Sequence, residues 1–457
     1  MRALRLLATP LLLSVAALAA EPSADADAAM LRRIYDAALT DSPAYGNLAE
    51  LVAKYPGRLS GSKNLEGAVQ WTKALLERQG VDRTELQPVM VPHWERGAPE
   101  SVRLLAGGRE SSLSAVALGG SVPTPAGGLT APVIELHSLA ELKTADVKGK
   151  IVFFNRPMRP QDVQPGTAYG GAGDQRNQGP GEAGKYGAVG ALTRSLTHSL
   201  DDVPHTGNTS YPPDGPRIPA AALSTLAADA LSAALKAAPD ARVTLAIHSQ
   251  WFDPALSHNV IGEIRGSSFP DEIIVVGGHL DSWDITPGAH DDGAGVVQSI
   301  DVLRILKAAG YQPRHTIRVV LFTSEENSGF GGKEYARVAG EKKERHLLAL
   351  ESDGGGGEPR ALQLGNAAGD AVAHASRWLP LFAPYGIARL EDGAGGADVG
   401  PLLPLGSVVG QIVPHSQRYF DVHHTRIDTI DKVNPRELQL GAAAMAALVY
   451  LYDQQGR

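Results

Sequence analysis

The carboxyl-terminal half of the chain alternates short apolar runs with helical patterns, and this alternation restricts the fold more than any other feature. Five of the apolar runs predict strands: Val260–Ile264, Ile273–Gly277, Ile317–Phe322, Leu347–Leu350 and Val408–Ile412. Four longer segments predict helices: Val296–Ala309, Gly332–Ala339, Ala368–Trp378 and Arg436–Tyr452. Such alternation predicts an α/β fold with a mixed central sheet and helices on both faces. Ligands bind at the carboxyl ends of strands in such sheets, so the segments after these runs are the first candidates for a site.

The region from residue 107 to 240 has a different composition. Gly and Pro cluster in Gly119–Pro132, Pro160–Gly184 and Thr206–Pro219, with short apolar runs between the clusters. Unstructured loops of that length are uncommon in compact domains, so a β-rich inserted domain is favoured over a set of long surface loops. A chain of 457 residues is also too long for one ordinary core. The predicted organisation is a signal peptide (1–19), the first part of the main domain (20–106), the inserted domain (107–240) and the remainder of the main domain (241–457).

The first residues have the pattern of a secretory signal peptide. Arg2 and Arg5 supply positive charge, an apolar stretch runs from Leu6 to Ala19, and residues 17–19 give the small–x–small pattern of a cleavage site. The alternative is a membrane anchor, but the run is shorter than the ~20 residues needed to span a bilayer, and Pro10 interrupts it. We therefore expect an exported protein, secreted or periplasmic, without a membrane span.

Composition restricts the chemistry further. The chain has no cysteine, which excludes a thiol nucleophile, a thiolate zinc site and a lipid-modified amino-terminal cysteine. Any metal must therefore bind to His, Asp or Glu. The formal net charge is −8 and no long basic run is present, so nothing indicates nucleic acid as a partner.

Five segments rich in acidic residues and histidine follow or flank the predicted strands. They are 278–284 (GHLDSWD), 288–295 (GAHDDGAG), 323–326 (TSEE), 350–353 (LESD) and 420–425 (FDVHHT), the last followed by Asp428. Taken singly, each has an ordinary structural explanation, such as a helix cap, a turn or a solvated face. Together they place carboxylates and imidazoles in loops of one sheet, where they could converge on one edge. Such a cluster is costly unless cations neutralise it, so the set predicts a metal centre.

Hydrolysis of an amide near neutral pH needs this kind of set. Two metal ions about 3.5–4 Å apart share one water, lower its pKa and polarise the carbonyl group. Each ion takes His nitrogen and carboxylate oxygen, and one carboxylate bridges the pair. A further carboxylate that binds no metal takes the proton of the water and passes it to the leaving amine. The adjacent Glu325 and Glu326 can divide the roles of base and ligand.

The five motifs, in this order, resemble the M28 family of zinc peptidases, and within it the carboxypeptidase Q-like branch. The resemblance extends from about Tyr55 to the carboxyl terminus. Each motif alone has modest specificity, but the five in order are highly specific. The resemblance implies the zinc-exopeptidase fold of the phosphorylase/hydrolase type. Residues 184–190 (GKYGAVG) resemble part of the protease-associated subdomain found in this branch, so the inserted domain is expected to be of that type.

Matched position by position, the resemblance implies a complete catalytic centre. Glu325 matches the general base. The ions are expected to be Zn²⁺, two per chain, with Mn²⁺ or Co²⁺ as possible substitutes. The implied ligands form two sets that share one carboxylate: His279 with Asp353 on one ion, Glu326 with His424 on the other, and Asp291 bridging both.

Three further residues are expected to support this centre. Asp281 matches the partner that orients the first imidazole ligand. Asp292 is expected to have a geometric role, since the peptide bond before it tends to be cis in the family. His423 stands where many members have a tyrosine whose hydroxyl steadies the oxyanion, and we hypothesise that it supplies that hydrogen bond. The alternative is that His423 only packs against its loop. His290 matches no ligand position and has no predicted role.

The leading functional interpretation is a zinc-dependent exopeptidase that acts on dipeptides or short peptides. The branch is a carboxypeptidase branch, but the sequence does not decide which peptide end is recognised, so an aminopeptidase is an alternative. A non-catalytic binding protein is a second alternative, and the complete set of ligands and base weighs against it. A one-zinc enzyme such as a glutaminyl cyclase is a third, and the combination of Asp291, Glu326 and Asp353 favours two metals instead. The related branch also implies a homodimer.

Overall fold

The computed structural model describes residues 24–456, and the predicted signal peptide lies outside the described residues. Between residues 24 and 456 the chain forms sixteen strands, arranged in two sheets of eight. In chain order the strands are β1 (Arg83–Glu95), β2 (Ser101–Ala106), β3 (Arg109–Leu113), β4 (Ala115–Ala117), β5 (Leu129–Leu136), β6 (Ile151–Phe154), β7 (Gly190–Arg194), β8 (Ala220–Leu223), β9 (Arg242–Ala246), β10 (Gln250–Ile264), β11 (Phe269–His279), β12 (His315–Phe322), β13 (Arg345–Glu351), β14 (Pro359–Gly365), β15 (Arg389–Asp392) and β16 (Val408–Pro414).

The helices in the same part of the chain vary from one turn to six. They are α1 (Ala24–Leu39), α2 (Ala44–Lys54), α3 (Lys63–Arg78), α4 (Pro165–Ala172), α5 (Asp174–Asn177), α6 (Gly179–Lys185), α7 (Thr225–Ala237), α8 (Ala294–Ala308), α9 (Phe330–Lys342), α10 (Ala371–Ala375), α11 (Leu379–Phe382), α12 (Tyr419–Val422) and α13 (Pro435–Gln455). Short 3₁₀ turns connect several of them. None of the helices between residues 24 and 456 combines the length and the apolar character that crossing a membrane requires.

The first sheet has the order β1-β10-β12-β11-β13-β16-β14-β15. Its centre is parallel, because β12, β11, β13 and β16 all run in the same direction. β10 is antiparallel to β1 and β12, and β14 is antiparallel to β16. The sheet is therefore mixed, and the predicted α/β fold class is confirmed.

Helices cover both faces of this sheet. Successive side chains of a strand point to opposite faces, so Ile274 and Val276 of β11 join the core formed with α1, α2, α3, α8 and α13. Ile273 and Val275 point the other way, into a smaller core completed by α9. Burying such side chains stabilises the fold by about 1.5–3 kcal/mol each. The parallel centre is thus apolar on both faces, which explains its continuous apolar runs.

The second sheet has the order β3-β2-β9-β5-β6-β7-β8-β4 and lies between residues 101 and 246. It therefore extends a few residues beyond the range predicted for the inserted domain, 107–240. We refer to residues 101–246 as the inserted unit. α7 packs on one side of this sheet, and α6 with the 3₁₀ turn Leu139–Lys143 packs on the other. The exact limits of the domains and the protease-associated type of the insert remain predictions.

The inserted unit packs against the last loops of the main domain. Met158, Ala168, Ala172 and Leu196 of the inserted unit form an apolar cluster with Phe420, which lies in α12. α12 leads directly into the pair His423 and His424. The contact therefore brings the inserted unit to one side of the predicted metal centre.

Candidate metal centre

The predicted site residues meet at one edge of the first sheet. β11 ends at His279, and Asp353 follows the end of β13, its parallel neighbour. Glu326 follows β12, on the other side of β11. Because parallel strands end at the same edge, these three segments converge. Asp291, just before α8, and His424, just after α12, complete the group.

Asp291 is the centre of this group, and its two carboxylate oxygens face different partners. Oδ1 lies 3.4 Å from Nε2 of His279, and the same Nε2 lies 3.4 Å from Oδ1 of Asp353. Oδ2 lies 3.2 Å from Nε2 of His424, which in turn lies 3.1 Å from Oε2 of Glu326. The five residues therefore form two clusters of imidazole and carboxylate that share Asp291.

Each imidazole is oriented by a backbone carbonyl. Nδ1 of His279 lies 3.1 Å from the carbonyl oxygen of Asp281, two residues along its own loop. Nδ1 of His424 lies 3.3 Å from the carbonyl oxygen of Thr206, which belongs to the inserted unit. A carbonyl only accepts hydrogen bonds, so Nδ1 carries the proton in both rings. Nε2 is therefore the nitrogen that faces the carboxylates in each ring, and it is the one placed to bind a metal ion.

The carboxylates of Asp281 and Asp292 hold backbone segments rather than facing the centre. Oδ1 and Oδ2 of Asp281 accept the backbone N–H groups of Glu325 and Glu326, at 3.0 and 3.2 Å. The Asp281 carboxylate is farther from Nδ1 of His279, at 3.7 Å, than its carbonyl oxygen is. Asp292 accepts the backbone N–H of His279 at 2.9 Å and that of Gly295 at 3.0 Å. Asp292 therefore ties the end of β11 to the start of α8.

The turn before α8 depends on close packing of the backbone. The peptide bond between Asp291 and Asp292 is cis. A Cβ at Gly295 would lie 1.8 Å from the carbonyl oxygen of Ser352, and one at Gly278 would lie 2.5 Å from Oδ2 of Asp292. Only glycine leaves room for α8 to approach the ends of β11 and β13 this closely. The two glycines therefore set the distance between Asp291 and its neighbours.

Two residues without a predicted role also support the centre. Asp428 accepts the backbone N–H groups of His290 and Asp291, at 2.8 and 3.1 Å, and burial raises its pKa to about 7. The fully buried guanidinium of Arg58 donates to the carbonyl oxygens of Leu280, Tyr55, Pro287 and Gly288. The position of Asp428, three residues after Thr425, was visible in the sequence. Nothing in the sequence marks Arg58, because its partners are backbone atoms.

His423 and His290 have different surroundings. The ring of His423 stacks on that of His424 with the centroids 3.6 Å apart, and its Nε2 lies 3.5 Å from Oδ2 of Asp291. His423 thus lies at the centre. His290 is held between two backbone groups instead: its Nδ1 accepts the N–H of Gly356 at 3.1 Å, and its Nε2 lies 3.1 Å from the carbonyl oxygen of Lys432.

Burial dominates the electrostatics of the carboxyl groups. It raises the pKa of Glu325 to about 8, with nearby carboxylates adding to the effect and an imidazole opposing it. It also raises the pKa of Asp353, and that of Glu326 well above its usual range. Burial acts in the same direction on Asp291, but three surrounding imidazoles outweigh it and lower the pKa of this carboxyl. A cation would stabilise the ionised forms of these buried acids.

The donors present fit divalent metal ions. Oδ2 of Asp291 and Oε1 of Glu326 are buried and have no hydrogen-bond partner. Buried polar atoms are normally paired, so these two oxygens are available as ligands. Imidazole nitrogen and carboxylate oxygen are the ligands that zinc takes when no thiolate is present.

A cleft is lined by Asn327, the residue that follows Glu326 in the chain. Its volume is about 390 Å³, and its lining includes Asn327, Phe330, Trp251 and Tyr211. Phe330 and Trp251 are exposed apolar side chains. The cleft combines aromatic walls with polar groups, which is the usual make-up of a site for a small organic ligand.

The fold and this centre define a class of hydrolytic enzyme, and comparison with known proteins agrees. The family model described as peptidase family M28 matches residues 259–449. Carboxypeptidase Q of Xenopus laevis is 35% identical over 409 residues, which cover 89% of this chain and 85% of the relative. Carboxypeptidase Q of Homo sapiens is 33% identical over 409 residues, covering 89% and 84%. The chain belongs to peptidase family M28, and the predicted class, a metallo-exopeptidase hydrolase, is confirmed.

Solved structures agree with this assignment. A peptidase M28 precursor from Shewanella amazonensis SB2B superposes with a TM-score of 0.89 at 34% identity, covering 93% of this chain and 96% of that one. A zinc aminopeptidase from Bacillus subtilis superposes with a TM-score of 0.64 at 24% identity, covering 90% and 95%. At 24% identity, the similarity to the Bacillus subtilis aminopeptidase concerns the fold alone. The two together confirm the predicted architecture over nearly the whole chain.

Proposed function

We propose that this protein is a dizinc exopeptidase that releases single residues from dipeptides or short peptides. The observation that carries the proposal is Asp291, whose two oxygens face two separate clusters of ligands. In this proposal His279 and Asp353 hold one ion and Glu326 and His424 hold the other. A single carboxylate placed between two imidazoles in this way is suited to bridging two cations.

The chain's own residues supply the remaining chemistry. Bound zinc would lower the pKa of a water and polarise the carbonyl group of the substrate. Glu325 is the proposed general base: it takes the proton of the attacking water and delivers it to the leaving amine. Its backbone N–H is held by Asp281, which fixes the start of its side chain. A base of this kind contributes about 10²–10⁴-fold to the rate.

The polarity that we propose is that of a carboxypeptidase. The support is the identity of 33–35% with proteins named carboxypeptidase Q, over 89% of this chain. The aminopeptidases of known structure are 24% identical or less, and their similarity to this chain concerns the fold alone. An aminopeptidase is the second candidate, because the same two-ion chemistry serves either peptide end.

A cleavage assay tests the function and its polarity together. Dipeptides and longer peptides with free or blocked ends are incubated with the purified protein, with and without a chelator, and the products are read by mass spectrometry. We expect chelator-sensitive release of single residues, abolished by a carboxyl-terminal amide and unaffected by amino-terminal acetylation. The reverse pattern would establish an aminopeptidase. Absence of cleavage from a zinc-loaded sample would contradict the enzymatic proposal.

We also propose a homodimer and export. The β1–β10 ribbon exposes Met90 (56%) and Leu256 (54%), which pair across the strands, with Phe252 exposed nearby. Large apolar side chains grouped on one surface are typical of protein interfaces. Light scattering should give twice the mass of the chain, and Leu256→Asp should give the monomer. Sequencing the amino terminus of the protein recovered from the producing cells should start near residue 20 if the signal peptide is cleaved.

A further inference from the structure

The inserted unit places a tyrosine and an arginine beside the imidazoles of the centre. Tyr169 lies in α4 and Arg176 in α5. The guanidinium Nη2 of Arg176 donates to the hydroxyl of Tyr169 at 2.6 Å, and Nη1 donates to the carbonyl oxygen of Thr206 at 3.2 Å. The same carbonyl oxygen orients His424. The pair is therefore joined to the His424 cluster through one shared acceptor.

The ring of Tyr169 is fixed between two side chains of the loop that carries the metal-centre histidines. It stacks on Phe420 with the centroids 4.6 Å apart, and it meets His423 edge-on at 5.2 Å. Burial raises the pKa of Tyr169, Arg176 opposes this, and the charges of Asp291 and Glu326 raise it further. The phenol therefore stays protonated at neutral pH.

We propose that Tyr169 is a catalytic residue whose hydroxyl donates a hydrogen bond to the carbonyl oxygen of the scissile bond, with Arg176 as its positioning residue. The inference rests on the proposed peptidase function and adds the group that receives the developing negative charge. Attack of water converts that oxygen to an oxyanion, and donors aimed at it in advance lower the barrier. Tyr169 keeps its proton, so no proton transfer is added to the reaction.

The arrangement of donors favours the tyrosine for this role. The bond from Arg176 occupies a lone pair of the phenolic oxygen and leaves its hydrogen free to point elsewhere. A cationic donor also makes the hydroxyl a stronger donor in turn. Arg58, the other guanidinium near the centre, is committed to four backbone carbonyls. His423 is also already engaged, because its Nε2 faces Oδ2 of Asp291 at 3.5 Å.

The first test is Tyr169→Phe in the full-length protein, with Tyr186→Phe as the matched control. Tyr186 is an exposed tyrosine of the same inserted unit. We expect Tyr169→Phe to lower kcat by about 10²–10³-fold, the usual effect of losing one oxyanion donor, with KM little changed. Zinc content should equal that of the parent. Affinity for a phosphinic peptide, which mimics the tetrahedral geometry, should fall in proportion to kcat/KM. Unchanged kcat with parental zinc content would overturn the proposal.

The second test separates oxyanion stabilisation from recognition of the substrate's end. Arg176→Gln and Arg176→Lys are assayed on peptides with a free carboxyl end, and kcat and KM are measured separately for each peptide. We expect kcat to fall for every substrate that is cleaved, with KM little changed. The fall should be larger for Arg176→Gln than for Arg176→Lys. A rise in KM with kcat unchanged would assign Arg176 to binding of the substrate's terminal carboxylate and overturn the proposal. A parent that cleaves no peptide would instead refute the proposed function.

Discussion

The proposed metal centre has two halves that are built in different ways. The His279 half consists of His279 and Asp353, the His424 half consists of His424 and Glu326, and Asp291 lies between them. The His279 half comes from adjacent parallel strands: β11 ends at His279, Asp353 follows β13, and the carbonyl that orients the ring lies two residues away. The His424 half comes from a loop in which His424 itself has a left-handed backbone, with φ of 62°. Its orienting carbonyl belongs to Thr206, in the inserted unit. The first half is thus a product of the central sheet alone, whereas the second needs the insert.

The pKa values of the two imidazoles, His279 and His424, are also shifted in opposite directions. Burial would lower the pKa of His279, but Asp353, Asp281 and Asp291 outweigh it and raise this pKa well above its usual range. Burial also lowers the pKa of His424, the neighbouring His423 and Arg176 lower it further, and Asp291 only partly opposes them. The His279 half therefore has the more negative surroundings. A cation is attracted more strongly there, so we expect the ion of the His424 half to be the weaker bound of the two.

The most severe test of the comparison removes what the halves share. Asp291→Ala should lose both ions, because each cluster loses a ligand. The general base contributes about 10²–10⁴-fold, and it can do so only when a metal-bound water is present. We therefore expect kcat/KM to fall by more than about 10³-fold. Elemental analysis for zinc and the peptide assay measure this. Asp253→Ala, at an exposed position, is the control and should match the parent. Loss of one ion only would show that Asp291 belongs to one half.

A smaller effect is expected from Asp281→Asn, because the carboxylate of Asp281 holds the backbone of the proposed base Glu325 and of Glu326 in the His424 half. The carboxylate accepts two N–H groups, and an amide keeps only one oxygen for them. Groups that orient ligands and bases typically contribute 10–100-fold, and we expect a fall in kcat of about that size. The His279 ion should remain, since the Asp281 carbonyl holds that ring. Loss of the His279 ion first would assign the carboxylate to that half instead.

A change in the inserted unit should affect the His424 half selectively. Gly207 has φ of 141°, and a Cβ there would lie 2.4 Å from Cζ of Arg176. Gly207→Ala should displace the adjacent Thr206 carbonyl and weaken one ion by about 10-fold, at the lower end of the effect of outer groups on metal affinity. Gly127→Ala is a matched control, since Gly127 has φ of 88° and no atom within 4 Å of the added carbon. Equal zinc binding by both variants would mean that the insert does not support the centre.

The inequality of the two halves should also be visible in the stability of the protein. Zinc binds the folded state, so metal added at about 100 times its dissociation constant should stabilise the parent by roughly 2.7 kcal/mol per site. The melting temperature of chelator-treated protein is measured against zinc concentration. We expect two steps for the parent and a weakened second step for Gly207→Ala. A single step in the parent, complete at one equivalent, would argue against unequal halves.

The same division explains what the sequence could predict. The apolar runs that predicted Ile273–Gly277 and Ile317–Phe322 coincide with parts of β11 and β12, because buried parallel strands have local, continuous apolar patterns. The edge strand β15, with only four half-buried or exposed residues, has no such pattern and was missed. β14 was missed as well, although most of its residues are buried.

The candidate site follows the same logic. The acidic and imidazole residues after the strands were recognised by their chemical type, and the structure brings His279, Asp291, Asp353, Glu326 and His424 together. The support from Thr206 could not be seen, because it uses a backbone carbonyl 218 positions away from His424. Tyr169 and Arg176 were also missed, since only the docking of the inserted unit brings them near the centre.

The most direct test of the account is a zinc titration of the metal-free parent, with bound metal and peptide hydrolysis measured in the same samples. Metal is removed by chelation, zinc is added stepwise, and each sample is analysed for zinc per chain and for turnover. We expect binding to end at two ions per chain and activity to reach its maximum only with the second. Full activity at one ion per chain, or saturation at one, would contradict a centre built on the two faces of Asp291.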